Sequence, residues 1–285
     1  MADRSYFRMF TVIGRSRDKF HKGRDIMIDL HVHTHHSCDS SASIDDYCRK
    51  AIENDVKYIC FTEHVDFNKA DSGYGYYDAN KFFDEFNAAR HKYSHELTIL
   101  CGIEFSEPHV YKKEFEMYRK LPYDFILGSI HYWIGDMFPS ELVKNNIPAD
   151  IVFEKYWEEV YKAVSYGGFD ALAHMDFPKR YYKKCIWNRA QISDIFKEMI
   201  KKDIALEINT SSLRKGLTES MPSKEFLNIY EGMGGEKVTI GADTHSPEEL
   251  ASGYEYADSL ISGKLRNTVY INRKPVYIKE CSRTY

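Results

Sequence analysis

The chain has 285 residues, 43% hydrophobic and 15% aromatic, enough apolar material for one barrel-sized core or two smaller ones. Its formal net charge of −4 comes from interspersed charges of both signs. That pattern lacks the long basic blocks of a nucleic-acid or anionic-membrane binder and sets aside a polyanion as the main partner. Six cysteines (Cys38, Cys48, Cys60, Cys101, Cys185, Cys281) form no C-x-x-C pair and follow no secretory segment, so free thiols in a reduced cytoplasmic setting are expected, and no apolar run approaches transmembrane length, so a soluble protein is expected.

Residues 1–25 carry a basic excess without the continuous apolar core of a signal peptide, and read as a flexible N-terminal extension ahead of one domain spanning 26–285. From there, short β-rich runs alternate with helical patterns, the rhythm of parallel β/α architecture. The runs are 26–34, 57–65, 97–107, 124–133, 170–176, 204–211 and 237–246. Helical patterns fall at 44–54, 79–93, 110–120, 150–166, 189–202, 223–232 and 247–262. Ser43 with Asp46 reads as a capping box, and Ser246-Pro247-Glu248-Glu249 as a second helix start. Near the C-terminus, "TVYINRKPVYI" is the pattern of a short extra strand or hairpin.

The first run ends in "IDLHVHTHH", where an extended backbone places His31 and His33 on one face. Six of the seven runs end in good metal ligands: His31 and His33, His64, Glu104, His131, His174, then Asp243 and His245. The remaining run, the sixth, offers Asn209. In a parallel β/α barrel the C-terminal strand ends meet at one face, so ligands spread along the sequence would converge. Any single histidine is more often a buried structural one, but six of twelve fall at these ends. Imidazole with carboxylate suits Zn, Mn or Fe, and the ligands exceed what one ion can use, so two or three clustered ions are expected. Such clusters stabilise both attacking and leaving oxygens in displacement at phosphorus. No G-x-S-x-G, Walker A, H-E-x-x-H or G-x-G-x-x-G motif competes with that reading.

Taken in order, "DLHVHT" with Asp39, "TEH", "GIE", "GSIH", "AHMD", "EINTS" and "GADTH" resemble the polymerase and histidinol phosphatase (PHP) family of metal-dependent phosphoesterases. The resemblance implies a distorted (β/α)7, TIM-like barrel with a trinuclear site at the C-terminal strand ends. Carried onto this sequence, one ion falls to His31, His33, Glu104 and Asp243, a second to Glu104, His131 and His174, and a third to Asp39, His64 and His245. Asp39 stands where some members have histidine, which leaves the third site's metal open. The "GSIHYW" run, "EINTSSLRKG" and the length resemble the histidinol-phosphate phosphatases within the family, implying hydrolysis of L-histidinol phosphate to L-histidinol and phosphate. Arg180 and Arg214 follow the fifth and sixth runs and are expected to grip the substrate phosphate, with Asp176 as candidate proton donor to the leaving group. Two alternatives remain: a PHP phosphoesterase acting on nucleotides or nucleic-acid ends, which would want a basic groove, and a non-catalytic metal-binding module, which would show missing ligands.

Overall fold

Short apolar runs buried on both faces pair in parallel and take their cover from the intervening helices. The computed structural model describes residues 26–278 and shows that arrangement. The expected extension over 1–25 and Cys281 lie outside the described residues. The strands are β1 (Met27–Val32), β2 (Val56–Val65), β3 (Thr98–Ser106), β4 (Phe125–Ser129), β5 (Ala171–Leu172), β6 (Ala205–Asn209), β7 (Lys237–Gly241), β8 (Arg266–Ile271) and β9 (Lys274–Tyr277). They pair in sequence order, parallel from β1 to β8, with β9 antiparallel to β8. The hairpin expected near the C-terminus is this β8–β9 pair; Asn272 and Arg273, both at positive φ (50° and 63°), make its two-residue turn.

The sheet does not close by a continuous ladder. Instead Val32 bridges Thr244 just beyond β7, the His33 amide donating to the Thr244 carbonyl at 2.9 Å and the Thr244 amide to the His31 carbonyl at 3.1 Å. The first and seventh strand ends are thereby brought together, with the eighth strand outside the seam.

The helices are α1 (Ile44–Glu53), α2 (Ala79–Tyr93), α3 (Lys112–Tyr118), α4 (Pro139–Lys144), α5 (Ala149–Tyr166), α6 (Lys179–Tyr182), α7 (Arg189–Lys201), α8 (Ser211–Arg214), α9 (Lys224–Gly232) and α10 (Tyr254–Leu260). The capping box opens α1: Ser43 Oγ accepts from the Asp46 amide at 3.1 Å while the Asp46 carboxylate accepts from the Ser43 amide at 3.0 Å. The continuous helix expected over 247–262 is broken. Pro247–Glu249 form one 3₁₀ turn, and then the Ala251 amide is captured by the buried Asp29 carboxylate at 2.9 Å while Ala251 takes a φ of 54°. The chain restarts as α10 only after Gly253. Three short helices sit in the connections after β4, β5 and β6; two of them, α6 and α8, carry Arg180 and Arg214 to the barrel mouth. Cys38, Cys48, Cys60, Cys101 and Cys185 are free thiols, and among the described residues no helix is long and apolar enough to cross a membrane.

Candidate metal centre

Along β1, Ile28, Leu30 and Val32 turn to one face and Asp29, His31 and His33 to the other, and all six are buried. The second face points at Glu104 on β3. One oxygen of Glu104 lies 3.2 Å from His31 Nε2, 3.6 Å from His33 Nε2 and 3.2 Å from His64 Nδ1. The other lies 2.8 Å from His174 Nε2 and 3.4 Å from His131 Nε2. A single carboxylate is thus shared between imidazoles from β1 and β2 on one side and from the ends of β4 and β5 on the other.

Asp243 closes the first group, its Oδ1 3.9 Å from His31 Nε2 and 3.7 Å from His33 Nε2. At the rim, Asp39 Oδ2 lies 3.0 Å from His245 Nε2 and 3.5 Å from His64 Nε2. All nine candidate ligands therefore come together, although the closest donor clusters cut across the expected sets: His33 groups with His64 and His245, and His31 with Glu104 and His174. The rim group differs in exposure: Asp39 is 49% exposed, whereas Glu104 is 1% exposed.

The imidazoles are held from behind. His31 Nδ1 faces Glu207 Oε1 at 2.6 Å. Ser37 Oγ donates to Glu63 at 2.6 Å, so toward His33 Nδ1, at 3.3 Å, it is the acceptor. Ser106 Oγ donates likewise to Asp66 at 2.5 Å and accepts from His131 Nδ1 at 3.0 Å, and His245 Nδ1 donates to the Asp243 carbonyl at 3.2 Å. In each case the partner favours a proton on Nδ1 and leaves Nε2 facing inward, the arrangement that orients metal-ligating histidines, while against burial Glu207 and Glu104 raise the pKa of His31 well above the ordinary value and Glu104 raises that of His131. His33 Nε2 and His64 Nδ1 are buried without a hydrogen-bond partner despite their nearness to Glu104. Lone pairs of this kind, gathered round carboxylates, fit divalent cations.

Charge agrees with that fit. Burial opposes ionisation of Glu104, yet His31 and His131 outweigh it and hold its pKa well below the usual carboxylate range. Asp243 is likewise held low against burial, by Arg180 first and then His31. Burial, with His64, His245 and His31 nearby, pushes His33 well below the ordinary histidine value, keeping it neutral as a ligand must be.

Above the cluster of candidate ligands opens a cavity of about 920 Å3 whose lining includes Asp66, Tyr132, Phe177, Arg180, Tyr181 and Arg214. Arg180 lies over the Phe177 ring, its Cζ 4.9 Å from the centroid, and one of its amino groups reaches Asp243 and Ser211 Oγ, the latter at 2.5 Å. Arg214 donates to the carbonyls of Ala242 and Asp243 at 2.8 and 3.0 Å and its Nε faces Glu249 Oε1 at 3.4 Å, while its Nη1 and the Nε of Arg180 are buried without hydrogen-bond partners.

Asp176 is placed elsewhere. It is fully buried, 2.7 Å from Lys179 Nζ, and is not part of the cavity lining. Three carboxylates escaped the sequence reading. Glu207 sits mid-strand in "IALEINTS", Glu63 precedes His64, and Asp66 groups with His64 and His131. The available signal was charge inside an apolar strand, which a fold tolerates only with a partner.

Comparison with known proteins places these observations. The probable histidinol-phosphatase of Clostridium acetobutylicum is 28% identical over 265 residues, covering 90% of this chain and 98% of its own. The histidinol-phosphatase of Lactococcus lactis subsp. lactis is 27% identical over 228 residues, covering 76% and 84%. A crystal structure of the histidinol phosphate phosphatase of Lactococcus lactis, complexed with zinc, L-histidinol and phosphate, superposes with a TM-score of 0.72 at 21% identity, covering 88% of this chain and 98% of that one. The PHP domain model matches residues 29–211, from the buried Asp29 behind the first histidines to Ser211 beside Asp243, and the chain belongs to the PHP domain family.

Proposed function

We propose that the protein is a metal-dependent phosphomonoesterase that hydrolyses L-histidinol phosphate to L-histidinol and inorganic phosphate. The observation that carries the reading is Glu104, whose two oxygens each face imidazoles from different strands at the floor of a cavity sized for a small ligand. The names of the relatives supply the substrate.

His31, His33, Glu104 and Asp243 would hold one divalent ion, Glu104, His131 and His174 a second, and Asp39, His64 and His245 a third, the ions being zinc, manganese or iron. When bound, they supply Lewis-acid stabilisation of charge on phosphate oxygens and lower the pKa of water. The chain supplies the rest. Arg180 and Arg214 line the cavity wall, and their guanidinium groups neutralise the phosphate oxygens as charge builds on them. Glu207, Ser37 and Ser106 fix the tautomers of the histidines in front of them. Asp176, neutralised by Lys179 away from the cavity, takes no proton-transfer role.

The test is phosphate release from a panel holding histidinol phosphate, nucleoside monophosphates and simple sugar phosphates, with metal content measured on the same preparation. A kcat/KM for histidinol phosphate exceeding the rest by about 100-fold is expected. Preference for a nucleotide would replace the substrate, and absence of turnover in a metal-loaded sample would overturn the enzymatic reading.

A further inference from the structure

The four-histidine stretch that begins the site leaves two of its members outside the barrel mouth. His35 and His36 follow β1, and neither lines the cavity. Both turn instead to Glu85 on α2: the same carboxylate oxygen, Oε2, lies 3.1 Å from His35 Nε2 and 2.9 Å from His36 Nε2. The two ring centroids are 4.3 Å apart, and the three candidate donor atoms lie within 4.8 Å of one another. In a tetrahedral zinc site with bonds near 2.0–2.1 Å, neighbouring ligand atoms stand about 3.3 Å apart, so these separations are already close to a coordination edge.

The three groups are also oriented. Glu85 Oε1 accepts from the Ile44 amide at 3.1 Å, which ties the carboxylate to the first turn of α1. His36 is 8% exposed, its ring edge-on to Phe82 at 88°, and its amide donates to Thr34 Oγ1 at 3.3 Å. Tyr76 donates its hydroxyl to the His35 carbonyl at 3.2 Å, holding the loop at that residue. His35 itself is 42% exposed, which gives an ion a path in and leaves room for water as a fourth ligand. Two imidazoles crowded on one carboxylate oxygen are an economical way to satisfy that oxygen, but a cation between the three satisfies both rings and the carboxylate at once.

We propose that His35, His36 and Glu85 form a separate surface site for a transition-metal dication of the zinc class, outside the catalytic cluster. The site joins the loop after β1 to α2 and draws no ligand from the residues around Glu104.

Equilibrium dialysis of the metal-loaded holoenzyme against Zn(II), with zinc counted by atomic emission, tests it. Wild type is expected to take up one more zinc per chain than His35→Gln and than Glu85→Gln, the added ion binding at least about tenfold more weakly in either variant. Basal phosphatase turnover should stay unchanged in His35→Gln. Glu85→Gln also weakens the tie to the Ile44 amide, so His35→Gln, a change at a half-exposed side chain, is the deciding variant if the glutamine protein unfolds early. Equal zinc uptake by wild type and His35→Gln across the titration would overturn the proposal.

Discussion

Among single residues, Glu104 has the most to lose. Replacing it by glutamine keeps the shape and removes the charge that five imidazoles surround, so Glu104→Gln should lower both bound metal and turnover, the latter by about 100-fold or more. Near-normal metal content and rate together would rule out a shared carboxylate. The two arginines should separate by what else they hold. Arg180→Ala is expected to lower kcat/KM by about 10²-fold, roughly 3 kcal/mol of transition-state stabilisation, and Arg180→Lys to restore only part of it because a point donor replaces a planar fork. Arg214 also ties down the Ala242 and Asp243 carbonyls, so Arg214→Ala should lower the melting temperature as well as the rate, whereas unchanged thermal stability would mean those hydrogen bonds contribute nothing. Residue by residue, eight of the nine candidate ligands are legible because they stand toward the ends of apolar runs, whereas Asp39, in the loop after the first run, is marked only by the family resemblance. Asp176 also closes a run, but Lys179, three residues on, draws it into a buried pair away from the cavity lining. Glu207 was hidden because only run ends were read as functional. Gly241 shows how tightly it sits: a Cβ there would collide with Glu207 Oε1 and His31 Cβ, which accounts for the glycine of "GADTH".

Secondary-structure elements were legible where their periodicity was long and their caps local. α2 runs over 79–93, as the pattern indicates, with Asp78 accepting from the Asn80 and Lys81 amides. The helix expected over 247–262 failed because its interruption comes from 222 residues away, through Asp29, and no local window holds that information. α6 and α8, four residues each, are too short to leave a period. A long-range tie of the same sort joins the end hairpin to the barrel. Asp170, ahead of β5, accepts from the Ile126 amide at 2.8 Å and pairs with Arg273 in the β8–β9 turn. Burial pushes its pKa up to about 6 from the usual 3.8, although Arg273 pulls the other way. Because the folded state holds this proton more tightly than the unfolded chain, the stability it contributes is present below the unfolded value and is lost as pH rises through about 6. The loss amounts to roughly 3 kcal/mol at most. Asp170→Asn should therefore flatten the stability profile between those two values, measured by denaturant unfolding across pH. A profile as steep as that of wild type would place the titration elsewhere.

For the molecule as a whole, the β/α alternation announced a barrel, and the sequence also placed ligands at both of its ends. What it could not show is how the ends meet, since that depends on the twist and tilt of every strand between. The meeting is slight: one parallel bridge, Val32 to Thr244. His31 and His33 lie on one side of this seam and Asp243 and His245 on the other. Ions bound by those residues would act as a clasp across it. Chelation should consequently speed amide exchange at His33 and Thr244 well before it does so in the β2–β3 ladder, which is paired along eight consecutive positions. Uniform acceleration over both regions would indicate global loosening instead. The seam has a further consequence for how the protein is made. On a ribosome, His31 and His33 emerge early and Asp243 and His245 late, so the nascent chain exposes half of a chelating site through most of its synthesis. The first two histidines gain their partners across the seam only when the seventh strand arrives, so capture of an ion held by all four would be a late event, tied to closure of the seam.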